Sequence, residues 1–351
     1  MILEGYPFKG KDLEKLKQFL KESDLQYDIG IEYTICITDE TNRIIGTGSV
    51  EENVIKCVAI DTKHRGLGLS AQIISGLLQY EFEKGRSHIL IYTKPKNIEM
   101  FSDMGFHCVF QTEDILFMEN RKNGFEQYLD ELIKETPGKA LESKAKVGAV
   151  VANCNPFTSG HRYLIEKAKE SCDYLHLFIL SDDRSFFRTS ERMAMVKAGI
   201  EGMEGIILHQ TSDYIISAAT FPTYFFKDRL AGEEANCVLD LNLFGEKISP
   251  ALNITKRFVG TEPSCQTTNQ YNTKMKEILP LKGIDVVEIE RACLEEKAIS
   301  ASIVRELIKR KRFGDVRNMV PDKVYQLILT MDLDSKANKR IDNDRRDFRV
   351  Q

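Results

Sequence analysis

Between an apolar run ending at Asn153 and an amphipathic stretch beginning near Ser159, the chain reads NCNPFTSGHRYLIEKAKE. The Asn-Pro pair predicts a turn, and the spacing of Leu164, Ile165 and Ala168 predicts a helix opened by Ser159-Gly160-His161. A helix N-terminus presents unpaired N–H groups and a partial positive charge, a setting that favours phosphate. Gly160 lets the backbone approach an anion closely, and Thr158 and His161 are able to donate hydrogen bonds to a phosphate oxygen. The same residues also read as a simple Ser/Thr cap followed by a surface histidine.

A second helix start of this kind follows the strand-like run Asp285–Ile289, in the string AISASIVRELIKRKR. Ser300 and Ser302 sit at its opening and Arg305 one turn in, where hydroxyls, backbone N–H groups and a forked guanidinium suit phosphate oxygens. The competing reading is a Ser-capped helix whose Lys309, Arg310, Lys311 and Arg312 form a solvated basic face. Between the two strings, Arg192 reads as a surface residue on the residues alone. Gly260-Thr261-Glu262 ends a predicted strand at the edge where open parallel sheets bind ligands. There Glu262 either touches the ligand or accepts local hydrogen bonds.

The first half carries another turn of chemical interest, VIKCVAIDTKHRGLGLS. Gly66 and Gly68 stand between a strand-like run, Val54–Ile60, and a long helical pattern through Glu83. Successive N–H groups of such a turn, with the dipole of the following helix, suit a pyrophosphate. Glycine pairs are nevertheless frequent in ordinary turns, so the surrounding elements decide the reading.

Those elements fall into two patterns. In residues 1–120 a helix at Lys11–Lys21 precedes strands at Tyr33–Thr38, Arg43–Val50 and Val54–Ile60. The long helix, a strand at His88–Thr93, a short helix at Asn97–Met104 and a closing strand after Gly105-Phe106 complete an α+β layout. Residues 121–144 are charged and contain Pro137-Gly138, which predicts a linker. Residues 145–351 alternate strands and helices, with strands predicted at Val147–Ala152, Tyr174–Leu180, Gly205–His209, Cys237–Leu241, Arg257–Gly260 and Asp285–Ile289. That alternation predicts a doubly wound parallel sheet, so the chain as a whole is α/β. The tail after Met331 mixes both charge signs with few apolar residues and is expected to be a solvated or frayed end.

Composition narrows the function. Hydrophobic residues make up 42% and charged residues 29%, enough apolar material for two cores and too much for a disordered chain. A formal net charge of −4 argues against a dedicated nucleic-acid binder while allowing a local basic pocket. No apolar stretch approaches the ~20 residues that span a bilayer, and charges occupy the N-terminus where a signal peptide needs its apolar core, so a cytoplasmic protein is expected. Cys36, Cys57, Cys108, Cys154, Cys172, Cys237, Cys265 and Cys293 show no CxxC pair or zinc-like spacing and read as reduced thiols without disulfide or metal.

The string from Asn155 through Phe157, Thr158, Gly160 and His161 resembles the T/HxGH signature of the nucleotidyltransferase superfamily, with Thr158 at the first histidine position. ISASIVR is similar to that superfamily's ISxTxxR signature. Its members attack the α-phosphorus of a nucleoside triphosphate and release pyrophosphate, which implies ATP binding by Asn155, Phe157, Gly160, Arg192, Gly260, Glu262, Ser300 and Ser302. Thr158, His161 and Arg305 then serve the reaction itself. The turn at Lys63, Gly66 and Gly68 resembles the R/Q-x-x-G-x-G/A loop of GCN5-related N-acetyltransferases, which holds the pyrophosphate of coenzyme A. Phe101 occupies the position where many of those enzymes place a tyrosine that protonates the leaving thiolate, so ordinary acetyl-CoA transfer is not implied.

An acetyltransferase-like domain followed by a Rossmann-like nucleotidyltransferase domain, together with SDYIISAATFPTYFFKD (Ser212–Asp228) and LDLNLFGEKISPALNITKRFVGTEP (Leu239–Pro263), resembles the citrate lyase ligase family across nearly the whole chain. The resemblance implies activation of acetate by ATP, with Mg2+, and acetylation of a coenzyme A-like prosthetic group on the citrate lyase acyl carrier protein. It implies no tightly bound organic cofactor, no nucleic acid and no membrane partner. Two rival readings stay open: a bifunctional small-molecule N-acetyltransferase and adenylyltransferase, and a regulator that senses ATP and coenzyme A without turnover.

Overall fold

The structure, a computed structural model, describes residues 1–28, 30–181, 185–215, 229–261, 266–291, 293–294 and 297–333. The chain divides into two compact units, Met1–Gln127 with Ala218–Asp240, and Tyr128–Ser217 with Leu241–Gln351.

The first unit contains β1 (Ile2–Gly5), α1 (Gly10–Glu22), β2 (Tyr33–Thr38), β3 (Ile44–Glu51), β4 (Val54–Ile60), α2 (Leu69–Glu83), β5 (Leu90–Thr93), α3 (Ile98–Ser102), β6 (His107–Gln111) and β7 (Leu116–Glu119). Its seven strands are ordered β1-β2-β3-β4-β5-β7-β6. All neighbours are antiparallel except β4 and β5, which pair only at Val54↔Leu90 and Ile55↔Ile91 and then part toward their carboxyl ends. The β3–β4 register shifts between Thr47 and Ser49, and Cys57 opposite this bulge takes a φ of 54°. Ile73 and Leu77 of α2 pack on Ile35, Ile91 and Met118 of the sheet, which explains the helical spacing seen in the sequence. The edge strand β1 and the inner strand β7, which lies between β5 and β6, are additions to the strands expected from the sequence.

The remaining elements are α4 (Gly124–Glu135), β8 (Val147–Ala152), α5 (Ser159–Lys169), β9 (Tyr174–Ile179), α6 (Thr189–Gly199), β10 (Ile206–Gln210), α7 (Arg229–Leu243), α8 (Ser249–Ala251), β11 (Lys256–Gly260), α9 (Gln266–Ile278), β12 (Asp285–Ile289), β13 (Cys293–Leu294), β14 (Lys297–Ala298), α10 (Ala301–Lys309), α11 (Phe313–Arg317) and α12 (Asp322–Thr330). The stretch expected as a linker thus holds α4 and a short helical turn, Gly138–Leu141.

Five parallel strands form the second sheet in the order β10-β9-β8-β11-β12. In chain sequence this is 3-2-1-4-5, a doubly wound sheet whose winding reverses between β8 and β11. One face carries a shared core in which Val150, Leu177 and Ile179 meet Ile165 of α5, Met195 of α6, Val304 and Ile308 of α10 and Val324 of α12. This packing carries the start of α10 to the carboxyl edge of a sheet whose first strand lies far earlier in the chain.

One expected strand is corrected. Cys237–Leu241 lies inside α7, and Asn236 and Asp240 are buried along with Cys237, Leu239 and Leu241. A helix buried on several sides lacks the one-sided polar pattern, and its alternating apolar residues imitate a strand.

Candidate functional site

At the reversal point, β8 runs into the turn Asn153–Thr158 and then α5. Thr158 has extended backbone and caps the helix, its Oγ1 accepting the N–H of His161 at 3.3 Å. The backbone N–H of Thr158 donates in return to His161 Nδ1 at 2.9 Å, and Thr158 Oγ1 stands 2.8 Å from the same nitrogen. A ring nitrogen that accepts an N–H carries no proton, so the neutral imidazole bears its proton on Nε2. Burial lowers the His161 pKa to about 4, with the charge of Arg291 acting in the same direction. His161 is therefore a neutral Nε2–H donor at neutral pH. Its ring stacks on the buried Phe157 with centroids 5.7 Å apart.

The second motif meets this turn directly. Arg305 Nη1 donates to the backbone oxygen of Asn155 at 2.7 Å. A Cβ on Gly160 would stand 3.2 Å from the backbone oxygen of Ile299, so glycine here permits close contact between the two motifs as well as access for a ligand. Ser300 precedes α10 and shares a hydrogen bond of 2.6 Å with Ser302, Oγ to Oγ. The Ser159 N–H donates to the backbone oxygen of Met319 at 2.9 Å, so this donor of the helix start already has a protein partner. The side-chain oxygen of the buried Asn155 accepts the Phe187 N–H at 3.0 Å.

Arg192 is not a surface residue. It is fully buried, and its guanidinium donates to the backbone oxygen of Phe187 at 3.1 Å, to both oxygens of Asn153 at 2.9 Å and to Thr189 Oγ1 at 2.9 Å. Its work is to tie the loop before α6 to the end of β8. Gly260 ends β11 with open space where a Cβ would stand, and its backbone oxygen accepts from Asn272 Nδ2 at 3.1 Å. Glu262 lies outside the described residues, as do residues 216–228 of the Ser212–Asp228 segment and most of the tail.

Arg291 is absent from the sequence-based reading. It follows the end of β12, its N–H donates to Thr261 Oγ1 at 3.2 Å, and it acts on His161. Its position just past a parallel strand's carboxyl end was the available signal.

In the first unit, Gly66 and Gly68 take φ of 81° and 73°, and Gly68 caps α2 in the left-handed region. A β-branched residue is strained there. Asp61 Oδ1 accepts the Lys63 N–H at 3.1 Å, which shapes the preceding turn, and Lys63 is exposed. Phe101 is buried against Phe106 in the core, its ring unable to supply a proton.

Cys36, Cys57, Cys154, Cys172 and Cys237 are buried, Cys108 is exposed, and these six are free thiols. Among the described residues no group of three or more His, Cys, Asp or Glu is arranged to hold a metal, and no helix is long and apolar enough to cross a membrane.

A splayed mixed sheet of the acetyltransferase type with a left-handed glycine turn, followed in the chain by a doubly wound parallel sheet consistent with a nucleotidyltransferase-like fold and bearing Thr158, His161 and Arg305 at its reversal point, defines a two-unit α/β protein. The acetyltransferase (GNAT) domain family matches residues 6–116, and the citrate lyase ligase C-terminal domain family matches residues 147–328. Citrate pro-3S-lyase ligase of Klebsiella pneumoniae is 39% identical over 324 residues, covering 91% of this chain and 93% of its own. That of Haemophilus influenzae is 39% identical, covering 92% and 96%, and that of Escherichia coli K12 is 37% identical, covering 89% of each chain. The chain belongs to the citrate lyase ligase family.

Proposed function

We propose that this protein condenses acetate with ATP to acetyl-AMP and then acetylates the thiol of a coenzyme A-like prosthetic group on the citrate lyase acyl carrier protein. The observation that carries the adenylation half is the neutral His161, locked by Thr158 at the start of α5 beside the Arg305-bound turn. A carboxylate oxygen of acetate attacks the α-phosphorus, the bond to the β-phosphate oxygen breaks, and pyrophosphate leaves. Negative charge on the phosphates grows in that step, and the His161 Nε2–H, Thr158, Ser300, Ser302 and the Arg305 charge oppose it without reorganising. Because the imidazole is already neutral and its tautomer set, it donates a hydrogen bond without giving up its proton. Mg2+ arrives with ATP as the nucleotide's own counter-ion, held through phosphate oxygens as this ion commonly is.

The second half uses the other unit. The N–H groups around Gly66 and Gly68 suit the pyrophosphate of the arm, whose thiolate attacks the acetyl carbon while AMP departs. The buried Phe101 phenyl supports this division, because that position offers no acid for acetyl-CoA-dependent transfer.

The test is acetate-dependent exchange of labelled pyrophosphate into ATP, without carrier, by the wild type and His161→Ala. Exchange by the wild type and a fall of ~10²–10³ in a folded variant are expected. Acetyl-CoA consumption without exchange would favour the bifunctional acetyltransferase, and ATP binding without exchange would favour the regulator.

A further inference from the structure

We propose that Arg291 is a phosphate-binding residue of this site, holding the β- and γ-phosphates of ATP together with Arg305; the assignment rests on the ATP-dependent reading above. Its placement is set by the sheet. Gly260 and Ile289 are in register at the ends of β11 and β12, and the Thr261 N–H donates to the Ile289 backbone oxygen at 2.9 Å. The Arg291 N–H then donates to Thr261 Oγ1 at 3.2 Å. These two bonds hold Arg291 just past β12, on the same carboxyl edge where β8 delivers the His161 turn.

Electrostatics supply an independent link, since the positive charge of Arg291 helps hold the His161 imidazole neutral. The charge of the half-buried guanidinium therefore reaches this ring, and an anion bound at the turn feels it too. Two other guanidiniums lie near the turn. Arg305 of α10 bonds the Asn155 carbonyl, and Arg162 of α5 bonds Glu166 and the Gly199 carbonyl. A triphosphate brings several negative charges to this edge, and a second guanidinium there matches that charge with forked donors.

The experiment uses the full chain with Arg291→Gln and Arg291→Lys, both verified as folded. Three quantities are measured: KM for MgATP and for acetate in pyrophosphate exchange, calorimetric binding of MgATP and of inorganic tripolyphosphate, and the NMR titration of His161. Loss of a charge-assisted contact predicts that Gln raises KM for MgATP by about tenfold or more, with the acetate KM changed by less than about twofold. Tripolyphosphate binding should weaken in parallel, Lys should recover part of both losses, and the His161 titration should move up toward ordinary histidine. An Arg291→Gln protein with wild-type KM for MgATP and wild-type tripolyphosphate affinity overturns the assignment, as does a wild type that binds neither ligand. If the wild type binds MgATP yet catalyses no exchange, the ligase reading fails separately, and the binding comparison still decides the role of Arg291.

Discussion

Arg305 and Asn155, 150 residues apart, meet in a hydrogen bond of 2.7 Å from Nη1 to the backbone oxygen. The bond makes the second motif a brace for the first, because the carbonyl it holds belongs to the turn that leads into Thr158 and His161. A cation that would otherwise sweep through solvent is thereby held beside the turn that leads into His161.

Arg305→Lys keeps the charge but loses the planar fork, so both the brace and the aim of the charge should suffer. Exchange activity is expected to fall about tenfold or more while the thermal midpoint changes little. Kinetics equal to wild type would return Arg305 to the role of a solvated basic residue.

Gly68→Val places a branched residue at φ 73°, at the start of α2 and far from the Thr158–His161 turn in chain order. A variant that circular dichroism finds folded should retain acetate-dependent pyrophosphate exchange yet lose acetyl transfer to the carrier. Equal loss of both activities would contradict the division of labour between the units. Transfer at the wild-type rate would reduce Gly68 to a structural turn.

Arg192→Ala should act on stability before it acts on chemistry. The substitution strands the backbone oxygens of Phe187 and Asn153 inside the protein and empties a buried site. A cost of about 3 kcal/mol is expected in urea unfolding. A fully stable variant with impaired ATP binding would instead make Arg192 a nucleotide contact.

Acid should weaken the second unit through two buried histidines. Glu135 Oε2 accepts from His209 Nδ1 at 2.6 Å, which leaves His209 Nε2 to accept from His176 Nδ1 at 2.7 Å. Burial lowers the His176 pKa to about 3, with His209 adding to the effect, and burial also lowers that of His209 against the opposing pull of Glu135. A folded-state histidine pKa below the unfolded value near 6.5 means that the unfolded chain takes up the proton first. Stability from this source is complete above pH ~6.5 and declines as pH falls from there toward the folded value. Urea midpoints measured from pH 7 to 4.5 should therefore decline less steeply in His176→Leu than in the wild type. Parallel slopes would show that His176 is not among the groups responsible.

The capped helix start at Thr158, the glycine turn and the alternation of the parallel sheet were legible in the amino-acid sequence. Each is written in residues a few positions apart: a cap and its helix spacing at Thr158–Ala168, left-handed glycines before α2, apolar runs bounded by turns. Tertiary structure decided what depends on neighbours far away in the chain. Burial on several sides made a helix of Cys237–Leu241, and packing around β8 turned Arg192 inward onto carbonyls that no local pattern announces. The state of His161 also belongs to this level, since Thr158 sets the tautomer locally but burial and Arg291, brought in from the end of β12, keep the ring neutral. Local geometry reaches about one helical turn along the chain, whereas desolvation and charge act through space on whatever the fold has placed nearby.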